Sequence, residues 1–405
     1  MRFSLYYNPP KRTEGGAHTY VESLLEEIVG LVGSTKHELV IFGVGNELPA
    51  RFKLPSVRFV NLRRAGADAL LAIWLATALR RWRWHPFLGV QRMVEYWMQA
   101  RLAAVLRRNG VQFFWSLGPF VHTMEIPYAI TIWDIQHRMQ GFFPEVSIQG
   151  EWRSRERQYM EMMSRAAYVI ATNETGRAEV VRNFAIPAAK VIPLPTFTPS
   201  WALQSSSPPA EGLAERLGLS TGEFLLYPAQ FWPHKNHIRI IEALAGLQAK
   251  KGRSFKAVFV GSNYGNRQYL ERCAEAYGLG RQIVFPGFVS QAELRWLYTN
   301  AFCLVYPSMF GPENLPPLEA FALGCPVLCA RYDGALDQLG DAAVLFDPLS
   351  SRDLIEQLQR MESPALRKDL VEKGRARAER WTARHYAGEI LVLLEKFDPI
   401  RRCWS

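Results

Sequence analysis

Two short segments hold the residue types that anion chemistry requires. The first, Gln230-Phe-Trp-Pro-His-Lys-Asn-His237, puts Lys235 where an apolar run ends and a helix is about to begin. An ammonium there is a point charge suited to a diphosphate, although a solvated surface lysine has the same local pattern. The second segment is Tyr306-Pro-Ser-Met-Phe-Gly-Pro-Glu-Asn-Leu-Pro-Pro-Leu-Glu319, which reads as strand, loop and short helix. Asn314 is suited to cap that helix, Pro316 and Pro317 fit its first turn, and Gly324 ends it before the apolar run Cys325–Cys329. Unpaired N–H groups and the positive dipole end then make an anion site, with phosphate the usual anion. Glu319 in the first turns would repel a phosphate. The conflict disappears if neutral hydroxyls, such as those of a ribose, lie between them and donate to the carboxylate.

Further candidates sit where other apolar runs end. Thr13-Glu-Gly-Gly-Ala-His-Thr-Tyr20 follows the first of these, and Gly15 and Gly16 let backbone approach a ligand, or simply make a tight strand-to-helix turn. Trp133-Asp-Ile-Gln-His137, followed by Phe143-Pro-Glu145, places Asp134 and His137 at a strand end, where polar groups either face a ligand or cap a loop. His122 follows the preceding strand and has a weaker claim. Val260-Gly-Ser262 and Phe285-Pro-Gly-Phe-Val289 each end a strand, and Gly261 reads equally well as a plain strand terminator. No Asp-x-Asp pair occurs in the sequence and no metal-ligand spacing appears. A pair of carboxylates flanking a scissile bond is not evident either.

These segments are positioned by a regular alternation of strands and helices. Arg2–Tyr7, Glu38–Phe42, Arg58–Leu62, Phe113–Leu117, Tyr128–Trp133, Tyr168–Thr172 and Lys190–Ile192 are expected strands, with helices at Thr19–Leu31 and Glu151–Ser164. A second series follows at Phe224–Ala229, Ala257–Gly261, Ile283–Phe285, Phe302–Tyr306, Pro326–Ala330 and Ala343–Phe346, with a capping box at Ser290 and Glu293. Alternation of this kind implies parallel sheets, with ligands at the carboxyl ends of the strands. Thr198–Ala210, rich in Pro and Ser around a lone Trp, reads as a linker. The expected division is residues 1–197, a linker over 198–211, a second domain over 212–380, and a final helix within 381–405.

Composition sets the outer limits. A chain of 405 residues, 48% hydrophobic and 21% charged, suits two folded domains. Its five cysteines are scattered and read as reduced thiols, Cys325 and Cys329 as core residues. Met1–Tyr7 runs into Asn-Pro-Pro-Lys-Arg with no pattern of a secretory signal. The longest apolar stretch, Ala69–Leu79, is about half of the roughly 20 residues needed to span a bilayer. The net charge of +10 is concentrated. From Arg63 to Arg108 stand nine arginines against Asp68 and Glu95, beside Trp74, Trp82, Trp84 and Trp97. That composition fits helices at an anionic lipid surface, and equally ordinary helices packed on a sheet with solvated arginines. No nucleic-acid-binding pattern appears.

The Tyr306–Glu319 segment resembles the donor-site signature of the retaining glycosyltransferases of family four. These have the GT-B fold, two Rossmann-like doubly wound parallel-sheet α/β domains around a cleft. The family pattern has two glutamates separated by seven residues. Glu319 matches the second, Gly311 stands at the first, and Glu313 lies two residues on. The family also places an Arg and a Lys five apart on the donor pyrophosphate; Lys235 matches and Gln230 replaces the arginine. The glycine loop and the Asp134 block are similar to its N-terminal and acceptor-side segments, although Trp133 replaces a leading His.

The resemblance implies metal-independent, cofactor-free transfer of a hexose, with mannose the family habit, from a nucleoside-diphosphate sugar to a glycan or lipid-linked acceptor in surface-polysaccharide synthesis. It implies Lys235, Gln230, Gly15, Gly16, Gly261, Phe288 and Val289 around the donor nucleotide, with Glu319 on its ribose. Gly311, Glu313, Asn314 and Leu315 would surround the hexose, and Asp134, His137 and His122 would serve the acceptor. The final helix is expected to fold back over the first domain, and the protein to be cytoplasmic, peripheral at the inner face of the membrane. The departures at Gly311 and Gln230 leave room for a non-catalytic nucleotide or glycan binder, or for another GT-B enzyme such as a sugar-nucleotide epimerase.

Overall fold

A computed structural model describes residues 1–7, 15–43, 48–62, 88–204, 210–250 and 252–404. Thr13, Glu14 and most of the Arg63–Arg108 tract lie outside them; from that tract only the helix Leu88–Arg108 is described. Seven parallel strands form the first sheet: β1 (Arg2–Tyr7), β2 (Glu38–Gly43), β3 (Val57–Asn61), β4 (Phe113–Ser116), β5 (Tyr128–Ile132), β6 (Tyr168–Ala171) and β7 (Val191–Pro193). Their order is β3-β2-β1-β4-β5-β6-β7. Six more form the second: β8 (Phe224–Pro228), β9 (Lys256–Val260), β10 (Ile283–Gly287), β11 (Cys303–Tyr306), β12 (Val327–Ala330) and β13 (Ala343–Phe346). Their order is β10-β9-β8-β11-β12-β13.

Strand order reverses between β1 and β4 and again between β8 and β11, and at such a point the flanking loops part to leave a crevice. The loops after β1, β8 and β11 are the ones that carry Gly15–Gly16, Gln230–Lys235 and Met309–Leu315. The fold is therefore GT-B, and it brings the three sequence segments to one place.

Helix limits follow local chemistry. The first helix, Gly16–Val32, begins three residues before the expected Thr19, because the carbonyl of Gly15 already accepts from the N–H groups of His18 and Thr19. The capping box forms as expected, with Ser290 Oγ accepting from Glu293 N at 3.2 Å and Glu293 Oε2 from Ser290 N at 2.7 Å.

The final helix, Ala383–Arg401, leaves the second domain and packs on the first helix. Its Ile390, Leu391 and Leu394 enter the core with Leu24, Leu25 and Ile28. Each such side chain contributes about 1.5–3 kcal/mol by leaving water. The Tyr20 hydroxyl meets that of Tyr386 at 2.9 Å inside the same core.

The linker differs from its sequence reading. Residues Ser200–Leu203 are helical, and Trp201 and Ala202 are buried in the core of the second domain. The lone tryptophan is an anchor of that domain. The two crossings run side by side, Thr198 N donating to Trp381 O at 3.1 Å and Trp381 Nε1 to Pro195 O at 2.6 Å.

Candidate active site

Between the two sheets lies a cavity of about 790 Å³, lined from both domains. Gly15, Gly16 and Asp134 reach it from the first sheet; Gln230, Lys235, Gly261, Phe288 and Val289 from the second; Gly311, Glu313, Asn314, Leu315 and Glu319 from the loop and helix after β11.

Lys235 is buried at the centre. Its Nζ donates to the Tyr306 hydroxyl at 3.0 Å and to Asn314 Oδ1 at 3.2 Å, and the Tyr306 hydroxyl donates to Asn314 Oδ1 at 2.6 Å. Burial pulls the ammonium down to about 8, the charge of Asp134 acting the other way.

Asn314 occupies the cap position of the helix Leu315–Ala322, but its side chain does not cap it. It is committed to Lys235 and Tyr306, while its backbone N–H is taken by Gln338 Oε1 at 3.0 Å. Pro316 and Pro317 have no N–H to offer, so Leu315 alone among the first three helical positions supplies a donor. The anion-binding end is thus poorer in amides than expected, and the positive charge falls to Lys235.

Glu319 is 6% exposed and accepts from the Tyr298 hydroxyl at 2.7 Å. Burial pushes its carboxyl up to about 7 against that bond. Glu313 accepts from the backbone N–H of Thr196, beyond β7, and burial raises it to about 8.

The loop holding Glu313 is tied to the first domain elsewhere too. Gln140 Nε2 donates to Met309 O at 3.1 Å and Asn173 Nδ2 to Pro312 O at 3.0 Å. Asn173 also caps the helix Glu174–Phe184 through Oδ1.

Glycines set the approach of the domains. Gly311 has φ +121°, where a Cβ would lie 2.9 Å from Asn314 Nδ2, so any other residue on this loop path would be strained. A Cβ on Gly16 would sit 3.3 Å from Leu315 Cδ1 across the cleft. Gly261 is required by its neighbours, since a Cβ would meet Ala229 O at 2.3 Å. The Gln230 carboxamide accepts from Trp232 Nε1 at 2.9 Å. Phe288 stands 57% exposed at the rim, with Val289 buried behind it.

Of the acceptor-side expectations, Asp134 alone lines the cavity. Its Oδ1 accepts from Gln136 N at 2.9 Å and pairs with Arg155 at 3.4 Å. His137 is turned into the protein, 0% exposed, packed edge-on to Tyr159 and 3.2 Å from Glu156. Burial lowers its pKa. It follows Asp134 by three residues, and the short helix Gln136–Met139 rotates it into the wall. His122 packs against Tyr6 and Phe120, outside the cavity lining.

Sequence reasoning missed Arg155, Tyr298, Tyr306 and the pair Glu145–His234 as lining or supporting groups. Glu145 and His234 were both within the quoted segments, but nothing local announces that they meet.

Comparison with known proteins bears on the half of the cleft that holds Lys235 and Glu319. Residues 213–377 match the family described as glycosyl transferases group 1. The chain is similar to O-antigen chain mannosyltransferase B of Escherichia coli, 24% identical over 241 residues that cover 59% of this chain and 63% of that one. The chain thus spans less than two thirds of that relative's length. It is also similar to the D-inositol 3-phosphate glycosyltransferase of Frankia alni, 26% identical over 95% of each chain. Anabaena HepE in complex with UDP and glucose shares the fold, with a TM-score of 0.69, 16% identity, and coverage of 98% of this chain and 100% of that one.

Among the described residues no group of three or more His, Cys, Asp or Glu is placed to hold a metal ion. None of the described helices is long and apolar enough to cross a membrane.

Proposed function

We propose that this chain is a retaining glycosyltransferase moving a hexose from a nucleoside-diphosphate sugar to a hydroxyl of a glycan or lipid-linked acceptor. One observation carries the reading: the buried Lys235 ammonium, the start of the Leu315–Ala322 helix and Glu319 line a single cavity at the switch points of both sheets. A buried cation beside a helix N-terminus favours a dianionic leaving group.

In this reading Lys235 neutralises the diphosphate and Glu319 holds the ribose hydroxyls. The Gly311–Leu315 loop holds the hexose, with Glu313 toward its hydroxyls and Gln230 as a neutral donor beside the diphosphate. The bond from the anomeric carbon to the diphosphate oxygen breaks as the acceptor oxygen bonds to that carbon on the same face. The acceptor proton passes to the departing diphosphate oxygen, so no protein base is needed. Charge is handled by Lys235 and the helix end, without a metal or other cofactor. Asp134 and Arg155 form the polar wall on the acceptor side.

Mannose as the hexose and surface polysaccharide as the destination draw support from the mannosyltransferase relative. Work at the cytoplasmic face of a membrane, with the 63–108 tract toward anionic lipid, belongs to the same proposal.

The neutral Gln230 at the diphosphate favours a second reading, a nucleotide or glycan binder without transfer; an epimerase is its enzymatic variant. Incubation with a panel of nucleotide-sugars separates them. Release of nucleoside diphosphate with transfer or hydrolysis of the sugar supports the proposal. Binding without turnover supports the binder, and an epimerised donor the third case.

A further inference from the structure

Glu145 and His234 meet across the cleft, one from each domain, and no role given above uses them. Glu145 lies in the short helix Pro144–Ser147; His234 lies in the turn Pro233–Lys235. Glu145 Oε1 accepts from His234 Nδ1 and from the backbone N–H of His234, the latter at 3.3 Å. Their side chains are 6% and 11% exposed, and both residues line the cavity.

A carboxylate on Nδ1 fixes the tautomer: Nδ1 carries the proton and Nε2 keeps its lone pair. Burial lowers the imidazole pKa, favouring the neutral ring. Hydrogen bonds from His234 hold the Glu145 carboxyl low although burial opposes this. The second oxygen, Glu145 Oε2, is buried without a hydrogen-bond partner among the described residues.

The position of the pair tells what it would meet. His234 directly precedes Lys235, and its carbonyl accepts from Met309 N at 2.9 Å at the start of the hexose loop. The residue therefore joins the turn of the diphosphate cation to that loop, and it lines the same cavity. Gly311 has no side chain to offer there, and Glu313 is engaged by Thr196.

We infer that His234 is a donor-sugar recognition residue whose Nε2 accepts a hydroxyl of the bound hexose, with Glu145 as the positioning residue that sets its tautomer. The inference rests on the glycosyltransferase reading and deepens it by naming the hydroxyl acceptor. Because the pair spans both domains, it also makes hexose contact dependent on cleft closure.

The competing role is a brace that merely holds the Lys235 turn. His234→Asn separates the two, because an asparagine amide can still donate to Glu145 from the Nδ1 position but has nothing at Nε2. Calorimetric titration with GDP, UDP, GDP-mannose and UDP-glucose supplies the readout. H234N is expected to weaken the preferred nucleotide-sugar about tenfold while leaving its nucleoside diphosphate within about twofold. E145A is expected to act in the same direction, with E145Q restoring most of the loss. Equal weakening of nucleotide and nucleotide-sugar, or none, overturns the inference in favour of a brace. Loss seen only in acceptor KM overturns it too. If the wild-type chain binds none of the four, the glycosyltransferase reading falls first, and this inference with it.

Discussion

Lys235 Nζ lies 3.2 Å from Asn314 Oδ1, so the residue at the cap position of the Leu315–Ala322 helix serves the cation before the helix. The direct partners of this buried ammonium, Asn314 and Tyr306, are neutral. A charge so held gains most from an anion entering the cleft.

Diphosphate affinity should therefore depend on pH in a way set by Lys235. The free site holds the ammonium to about 8, so GDP or UDP affinity is expected to fall as pH rises through and above that value. Lys235→Met should weaken binding by a charge-assisted bond, about 1.5–3 kcal/mol or tenfold to a hundredfold. It should also flatten the alkaline limb. Titrations from pH 6 to 10 on both proteins check this; a limb surviving in K235M would assign it elsewhere.

Glu319→Ala is expected to reduce donor turnover by orders of magnitude, measured as nucleoside diphosphate release. Glu319→Gln carries a stability test as well. The native carboxyl titrates at about 7 against 4.5 for the unfolded chain. Its contribution is therefore fully present below pH 4.5 and lost as pH rises through about 7. The melting temperature of E319Q, compared with that of the wild type, should rise between pH 5 and 8. A pH-independent difference would mean that Glu319 is ionised throughout.

The glutamate of the family pattern would be strained in place of Gly311. At φ +121° any side chain is strained by about 1–3 kcal/mol, and its Cβ would press on Asn314. Gly311→Glu and Gly311→Ala should both lower donor affinity, glutamate no less than alanine. Gain of turnover in G311E would show that the loop can be rebuilt around a restored carboxylate.

Glu313→Ala should act on both domains, since its carboxyl group is tied to Thr196. Turnover is expected to fall at least tenfold with nucleoside diphosphate affinity nearly unchanged. A drop in nucleotide affinity equal to that in turnover would make Glu313 a loop tether alone.

The Arg63–Arg108 tract should bring the chain down with anionic vesicles at low salt and release it at high salt, because attraction between charges in water is screened within about 10 Å at 0.1 M. Equal sedimentation with neutral vesicles would leave these arginines as solvated scaffold.

Much was readable without coordinates because strands, helix starts and strand-end loops are local. The run Phe302–Tyr306 is apolar because β11 is covered on both faces, and Ser290 and Glu293 announce a helix start within four residues. Lys235 and Glu319 could be placed at the carboxyl ends of strands, and that sufficed to mark the cleft. Side-chain direction was not available in the same way. Asn314 looks like a cap until Lys235 and Tyr306 arrive as competing partners, and His137 looks exposed until the Glu151–Arg165 helix closes over it.

What the sequence by itself determined is the alternation that makes two parallel sheets, and the loops on which the chemistry is carried. The tertiary structure alone decided which loops meet: Gly16 against Leu315, Glu313 against Thr196, and Glu145 against His234, which are 89 positions apart. The reason is physical. Backbone periodicity and capping act over a few residues, whereas a contact across a cleft depends on strand order and on how two separately folded domains pack.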